Sequence, residues 1–334
     1  MVNEIALGKN RLNWGVWLDS SFPHVMLIVG KRGSGKSYDL GIIAEGLCAK
    51  SGSDIGRGNE DMAMILFDTQ SQFWTLAETE VQMGSEQSTL IQQWGLTATT
   101  IITPTVYKPR AKGSYSLDTN EIEFGLRPSD LEPDEWLVLM GLERFTAMGQ
   151  CMTKARNAMT SVDFSIEDMK EWLNSDEAAD EHGENTRDAV KWRLDAQIDT
   201  GLFDGNAEDI CSRLGKKGAK SIIGLADLTE DLKTLIVAVI MRKLIHWAAP
   251  AQRKRKRANL RGDSLDSEDL QIAPRIWSLI DEAHLICPSD KMTPARPVVV
   301  DYVKRGRDAG LSLVLATQQP SAIDTAAISQ SDIV

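Results

Sequence analysis

Residues 24–40, HVMLIVGKRGSGKSYDL, decide the fold, because they pass from an apolar run through a glycine-rich turn into an amphipathic segment. The apolar run at 25–29 consists of strand-forming residues and ends at a glycine, which predicts a buried parallel strand. After the turn, apolar residues recur at the spacing of one helix face: Leu40, Ile43, Ala44 and Leu47. The stretch therefore predicts a strand, a turn and a helix in direct succession.

The turn itself fits the phosphate-binding pattern G-x-x-x-x-G-K-[ST] over residues 30–37. Glycines let backbone N–H groups converge on phosphate oxygens, and the following helix adds the positive end of its dipole. Lys36 is predicted to reach the terminal phosphates of ATP, and Ser37 is predicted to bind Mg²⁺. The alternative is a glycine-rich turn with an incidental lysine. The predicted nucleotide-binding set is Gly30, Lys31, Arg32, Gly33, Ser34, Gly35, Lys36, Ser37 and Tyr38.

The segment RIWSLIDEAH, residues 275–284, places two carboxylates at the end of another apolar run. The run predicts a buried strand, and Asp281 follows it at a position suited to holding Mg²⁺ and its water shell. Glu282 comes next and is predicted to accept a proton from the water that attacks ATP. The alternative is an acidic pair that merely caps the next element.

A third strand tip is predicted from LSLVLATQQP, residues 311–320. Gln318 is predicted to contact the γ-phosphate or to orient the attacking water, with Gln319 as the neighbouring candidate. The alternative is an amide that faces solvent. Because ligands of open parallel sheets bind at the carboxyl ends of strands, we expect this tip to lie beside the turn and the acidic pair.

Basic residues precede this last strand in VKRGRDAG, residues 303–310. In ring ATPases an arginine from one subunit often completes the neighbouring site by stabilising charge as the γ-phosphate leaves. Arg305 and Arg307 are the candidates for that role. A solvated basic helix end is the alternative.

Strands that alternate with helices predict an α/β fold with a mostly parallel sheet covered on both faces. Further strands are predicted at 62–68, 98–103 and 221–228, and a long helix at 229–248 with Thr229 as its N-cap. The predicted organisation is a short N-terminal segment (1–24), a core in two parts (25–103 and 219–334), a mainly helical insertion (104–218) and a charged flexible linker (251–271).

The predicted linker contains QRKRKRANLRGDSLDSEDLQ, residues 252–271, in which a basic block precedes an acidic one without apolar periodicity. Such charge runs are typical of solvated, mobile segments. Contact with nucleic acid is the alternative.

The composition is that of an ordinary soluble globular protein, with 42% apolar and 25% charged residues. A net charge of −11 argues against a surface that coats nucleic acid non-specifically, although a narrow basic channel stays open. The four cysteines and four histidines have no ligand-like spacing, so we expect no structural zinc and a reducing, cytoplasmic setting. The longest apolar run, LIVAVIM at 235–241, is too short to span a membrane, so no membrane partner is expected.

Together, HVMLIVGKRGSGKS, the segment 221–248, LIDEAH and GRDAGLSLVLATQQPSAIDTAAISQSDIV resemble the HerA branch of the HerA/FtsK ATPases. The resemblance implies a RecA-like (ASCE) P-loop core that assembles into hexameric rings and moves or processes double-stranded DNA with ATP and Mg²⁺. It also implies a partner, because HerA-type ATPases typically work with a nuclease or another effector in DNA end processing or antiphage defence. The implied nucleotide roles fall on Lys36, Ser37, Asp281, Glu282 and Gln318, with an arginine in 305–307 acting in trans.

Three features depart from the family pattern. One is that the sequence stops at Val334, where the resemblance leads us to expect a further strand of the core, so the C-terminal part of the core is expected to be incomplete. HerA proteins usually begin with a small β-barrel, which residues 1–24 are expected to lack. The family commonly shows Asp-x-x-Gly-Glu after its second strand, whereas this chain has DTQSQFW, so no role for Asp68 follows.

An alternative function is a nucleotide-dependent assembly scaffold that gates an effector enzyme, which the acidic net charge favours. A secretion or conjugation motor is a third, and it would normally carry a membrane anchor.

Overall fold

The computed structural model describes residues 3–78, 84–94, 101–112 and 121–334. Its strands are β1 (Glu4–Lys9), β2 (Gly15–Asp19), β3 (Val25–Val29), β4 (Gly56–Arg57), β5 (Ala63–Asp68), β6 (Thr105–Pro109), β7 (Glu121–Phe124), β8 (Lys220–Gly224), β9 (Ile276–Ile280) and β10 (Leu311–Thr317). Seven of them form one parallel sheet in the order β3-β10-β9-β5-β8-β6-β7. The other three form a small antiparallel sheet in the order β2-β1-β4.

The helices lie mainly between these strands in the chain. They are α1 (Lys36–Cys48), α2 (Ser85–Trp94), α3 (Pro133–Leu139), α4 (Ala147–Ala158), α5 (Ile166–Leu173), α6 (Asp176–Glu181), α7 (Glu184–Thr200), α8 (Cys211–Leu214), α9 (Glu230–Arg261), α10 (Ser267–Gln271), α11 (Ala283–Ile286), α12 (Ala295–Ala309) and α13 (Thr325–Ile328).

Both faces of the parallel sheet are covered, which is why β5, β9 and β10 are buried at every residue. Alternate residues of a strand serve opposite faces: Met64 and Leu66 belong to the core beneath α1, whereas Ile65 and Phe67 belong to the core beneath α9 and α12. This arrangement confirms the predicted α/β class with its parallel sheet sandwiched by helices.

The N-terminal segment and the region 104–218 contain strands that the sequence did not reveal. In the N-terminal segment, β1 and β2 belong to the small antiparallel sheet. The region 104–218 is largely helical from α3 to α8, but it opens with β6 and β7, which extend the parallel sheet. The strand expected at 98–103 lies partly outside the described residues. Its described part forms only an isolated bridge from Ile101 to Ala49, and the strand is β6 instead.

Ion pairs dock the insertion helices onto α9. The Arg242 guanidinium lies 2.8 Å from a Glu135 carboxylate oxygen, and the Lys243 amine lies 2.6 Å from that of Asp130. The two carboxylates are largely buried, so each pair is shielded from water. The insertion is therefore fixed against the helix layer of the core.

The predicted flexible linker is wrong for residues 251–261, because they continue α9 without a break, past Pro250. Ala251 and Ala258 are buried, and the Arg255 guanidinium donates hydrogen bonds to the Asp269 and Ala273 carbonyl oxygens at 2.9 and 3.0 Å. The chain then forms α10 over part of the acidic block. When polar side chains make the contacts between a helix and the rest of the protein, apolar residues do not recur at the helical spacing. The sequence of such a helix therefore resembles that of a solvated segment.

Helix α9 begins where the sequence predicted. Thr229 occupies the N-cap position with extended backbone angles, but its side chain makes no capping hydrogen bond. Among the described helices, α9 alone is long and apolar enough to cross a membrane by length and composition, and 67% of its apolar window is buried inside the fold. That burial is typical of a core helix.

Candidate functional site

The glycine-rich turn joins β3 to α1 through backbone conformations that favour glycine. Gly33 and Gly35 have φ angles of 77° and 96°, in the left-handed region where a side chain is strained. A Cβ atom on Gly30 would lie 2.1 Å from the Ser34 hydroxyl oxygen and 3.0 Å from the Ser34 Cβ, so Ser34 would have to shift to admit it. The turn favours glycine at all three positions, of which the sequence pattern specifies Gly30 and Gly35.

The predicted phosphate lysine lies beneath this turn. Lys36 is 6% exposed, and its amine donates a hydrogen bond to the Lys31 carbonyl oxygen at 3.2 Å. Residues 31–35 are exposed, Ser37 is half-buried, and the Tyr38 side chain is 75% exposed. The loop is therefore open to a ligand while its lysine is held close to the loop backbone.

Asp281 follows β9 directly, with a side chain that is buried but unpaired. The residue is 1% exposed, and neither carboxylate oxygen has a hydrogen-bond partner among the described residues. Burial raises its pKa to about 6, the backbone N–H of Glu282 and the Lys36 amine oppose the rise, and the Glu282 and Asp68 carboxylates add to it. A buried carboxylate that no side chain pairs with is costly, and a hard cation is a ligand that satisfies it. Asp281 therefore fits the predicted Mg²⁺ role.

Glu282 has a strained backbone and contacts Gln318, the residue predicted to contact the γ-phosphate or to orient the attacking water. Its φ and ψ of 47° and 49° lie in the left-handed region, which costs a non-glycine residue about 1–2 kcal/mol. The Gln318 amide donates a hydrogen bond to Glu282 Oε1 at 2.5 Å. His284 Nδ1 lies 3.3 Å from Glu282 Oε2 and 3.2 Å from the Thr317 hydroxyl oxygen. Glutamate, glutamine and histidine thus form one contact group.

Strand order explains why these groups meet. β10 lies between β3 and β9, with Thr317 in register with Val29 and Leu315 in register with Ile280. All three strands are parallel, so the turn after β3, the acidic pair after β9 and the glutamine after β10 emerge at one edge of the sheet. We call this edge, with its phosphate turn, the nucleotide edge.

The candidate arginines lie elsewhere. Arg305 and Arg307 are in the last turns of α12, which leads into the start of β10 and so ends near the opposite edge of the sheet. Arg305 pairs with Asp301 of the same helix, and Arg307 is exposed. The structure does not bring either arginine to the phosphate turn of its own chain, and their role in trans stays a prediction.

Sequence reasoning missed two contributors to the nucleotide edge. His284, two residues after Glu282, had no spacing signal, because its contacts depend on the fold. Asp68 was left without a role; its carboxylate accepts hydrogen bonds from the backbone N–H groups of Gln72 and Phe73 at 3.0 and 2.9 Å. Asp68 therefore shapes the turn after β5 and adds negative charge beside Asp281.

Comparison with known proteins shows which family the chain resembles. The family model described as "Helicase HerA, central domain" matches residues 10–244. The DNA double-strand break repair helicase HerA of Sulfurisphaera tokodaii is 23% identical over 235 residues, which are 63% of this chain and 43% of that protein. The protein of the same name from Sulfolobus acidocaldarius is 23% identical over 157 residues, which are 46% of this chain and 29% of that protein. The chain thus matches less than half the length of these relatives.

Among solved structures, VirB4 of Thermoanaerobacter pseudethanolicus superposes with a TM-score of 0.51 at 14% identity, covering 94% of this chain and 76% of that one. At this identity the likeness concerns the fold alone, and it agrees with the parallel sheet covered by helices. With the family match over residues 10–244, the chain belongs to the HerA helicase central-domain family of RecA-like P-loop ATPases.

Proposed function

We propose that the chain is an ATPase motor that binds ATP and Mg²⁺ at the nucleotide edge and uses hydrolysis to move or process double-stranded DNA. One observation carries the proposal: the buried, unpaired Asp281 carboxylate within electrostatic reach of the Lys36 amine. A carboxylate and a lysine beneath a glycine-rich turn match the charges of a metal-bound triphosphate.

Each residue then has a distinct task. Lys36 binds the terminal phosphates, and backbone N–H groups of the turn bind phosphate oxygens. Ser37 and Asp281 would hold Mg²⁺, which offsets phosphate charge as the terminal bond breaks. Glu282 accepts a proton from the attacking water, and Gln318, already hydrogen-bonded to Glu282, reports whether the γ-phosphate is present.

ATP turnover with and without duplex DNA tests this assignment. Glu282→Gln should lower turnover by about 10²-fold or more, because the proton acceptor is lost while the side-chain shape is kept. Glu143→Gln is the matched control, since Glu143 is exposed on the loop between α3 and α4. A Glu282 variant as active as the parent would remove this residue from the mechanism.

We further propose that subunits form a ring, predicted to be hexameric, in which Arg305 or Arg307 completes the site of a neighbour. The position of both arginines far from their own phosphate turn supports this, since a role in catalysis then requires a second subunit. Arg305→Ala or Arg307→Ala, mixed with a Lys36→Ala subunit, should recover part of the lost turnover. Failure to recover in either mixture contradicts a shared site.

An effector partner, a nuclease or another enzyme in DNA end processing or antiphage defence, belongs to the proposal on the strength of the resemblance. The name of the two relatives, a DNA break repair helicase, supports the DNA part. The alternative is a nucleotide-dependent scaffold that gates the effector, which the net charge of −11 favours. Turnover in the full complex that does not respond to duplex DNA would favour the scaffold.

A further inference from the structure

The C-terminal part of α9 carries a row of arginines on its outer face. Arg253, Arg257 and Arg261 are spaced by four residues, so they lie along one side of the helix. All three side chains are exposed, and none makes an ion pair or a side-chain hydrogen bond within the described parts of the chain. We call these three residues the arginine stripe.

The neighbouring cations of the same helix are occupied. Lys254 lies 2.9 Å from an Asp269 oxygen, Lys256 lies 3.2 Å from an Asp308 oxygen, and Arg255 binds carbonyl oxygens after α10. These three contacts anchor the helix to α10 and α12. The basic block is thus divided into cations that hold the helix in place and cations that project into solvent.

The stripe lies at the edge of the sheet opposite the nucleotide edge. The Gln252 amide donates a hydrogen bond to the Pro274 carbonyl oxygen at 2.7 Å, just before β9 begins. Residue 252 is therefore level with the starts of the strands, and the helix continues for about 13 Å beyond it at 1.5 Å per residue. No group that we assign to ATP chemistry lies on this part of α9.

We propose that the arginine stripe binds the phosphate backbone of duplex DNA. The guanidinium group binds phosphate through paired hydrogen bonds, and the unoccupied cations of the stripe are all arginines. Successive stripe residues are about 6 Å apart along the rigid helix axis, close to two base-pair steps of about 3.4 Å. In a chain with a net charge of −11, an exposed row of unpaired cations favours a local polyanion contact over general coating.

A membrane surface fits the stripe less well. Basic helices that lie on lipid bury an apolar face in the bilayer. In this part of α9 the small apolar residues Ala251 and Ala258 are buried against the protein, and Leu260, 86% exposed, is the large apolar residue on the outer face. The outer face therefore offers charge for phosphates but little apolar area for acyl chains.

The test is DNA binding by the full chain. Binding is measured as the fluorescence anisotropy of a short labelled duplex, in buffer that contains EDTA and no nucleotide. This inference takes its ligand from the proposed function, but the assay does not require ATP hydrolysis. The triple change Arg253→Ala, Arg257→Ala and Arg261→Ala should weaken binding by ~10-fold or more at low salt. The slope of log affinity against log salt should fall by about 2–3, because each lost phosphate contact removes about 0.9.

Two further variants separate local from general charge effects. The three Arg→Lys changes keep the charge and should keep most of the salt slope while losing part of the affinity. The matched control removes three exposed cations remote from α9: Lys9→Ala, Arg11→Ala and Lys50→Ala. We expect this control to bind DNA like the parent.

The proposal is overturned if the triple alanine variant binds with the parent affinity and salt slope, or if the control loses as much. It is also overturned if the parent binds anionic phospholipid vesicles through the stripe but does not bind DNA. Circular dichroism melting checks the fold of each variant. Should the triple variant unfold, the three single variants carry the same test, with a slope change of about 1 each.

Discussion

The hydrogen bond between Gln318 and Glu282 links two strand tips, and removing it measures how closely they are joined. In the chain without nucleotide, Gln318→Ala leaves Glu282 Oε1 without its donor. The other oxygen, Oε2, lies 3.3 Å from His284 Nδ1 but makes no hydrogen bond among the described residues, and Glu282 is 4% exposed. Because water does not readily replace the lost amide, we expect the variant to be less stable than the parent.

The size of the effect follows from the contact. A hydrogen bond to a carboxylate contributes about 1.5–3 kcal/mol, and Gln318 is only half-buried, so the lower part of this range applies. Glu282→Ala removes the same bond but also removes the buried carboxylate, so its own effect is smaller. The coupling free energy from the double-mutant cycle should therefore be about 1–2 kcal/mol.

The measurement is equilibrium unfolding in urea, followed by tryptophan fluorescence, for the parent, the two single variants and the double variant. Gln319→Ala is the matched control, because Gln319 is the next residue, is exposed, and makes no side-chain hydrogen bond in the described structure. A coupling energy within about 0.5 kcal/mol of zero would refute the inference that the two tips are joined. A coupling of equal size between Gln319 and Glu282 would show that the predicted γ-phosphate contact was assigned to the wrong glutamine.

Two further predictions concern the phosphate turn and a buried lysine. Gly30→Ala places a Cβ atom 2.1 Å from the Ser34 hydroxyl oxygen, so affinity for a fluorescent ATP analogue should fall by ~10-fold or more; Gly41→Ala in α1 meets nothing within 4 Å and should raise stability by about 0.5–1 kcal/mol without changing that affinity. Equal affinity losses in both variants would contradict this reasoning. Burial lowers the pKa of Lys220 from 10.5 to about 8, so between these values the unfolded chain holds more protons and stability rises with pH. The free energy of unfolding of the parent, minus that of Lys220→Met, should increase by about 1 kcal/mol from about pH 7 to about pH 9. Urea titrations at each pH measure this difference, and a difference that does not change with pH would exclude the pKa shift.

The nucleotide edge was predictable because the residues that its chemistry needs lie in short, continuous segments of the sequence. The pattern at residues 30–37 and the acidic pair after β9 each combine a strand signal with the polar residues that the chemistry needs. Their convergence followed from a general rule, since parallel strands end at the same edge. The sequence did not specify that β10 separates β3 from β9, because strand order depends on contacts between residues far apart in the chain.

The errors arose where distant contacts override local pattern. Residues 251–261 continue α9, and Arg255 attaches them to the carbonyl oxygens of Asp269 and Ala273, a contact that no local period predicts. The strands β6 and β7 were hidden in a region whose prolines and charges indicated an insertion, and their place in the sheet depends on pairing with β8. His284 lies 3.3 Å from Glu282, whose backbone is left-handed, and nothing in the local sequence indicates this conformation.

The two edges of the sheet are connected by the same helices. α9 begins at the nucleotide edge beside Lys291 and His284, and it ends 32 residues later with the arginine stripe. α12 packs along α9 and ends with Arg305 and Arg307 near the opposite edge. Because both helices bury their inner faces in one core, a shift of either helix would disturb packing along its whole length. The predicted nucleotide site and the proposed DNA and subunit contacts therefore lie at opposite ends of the same two packed helices.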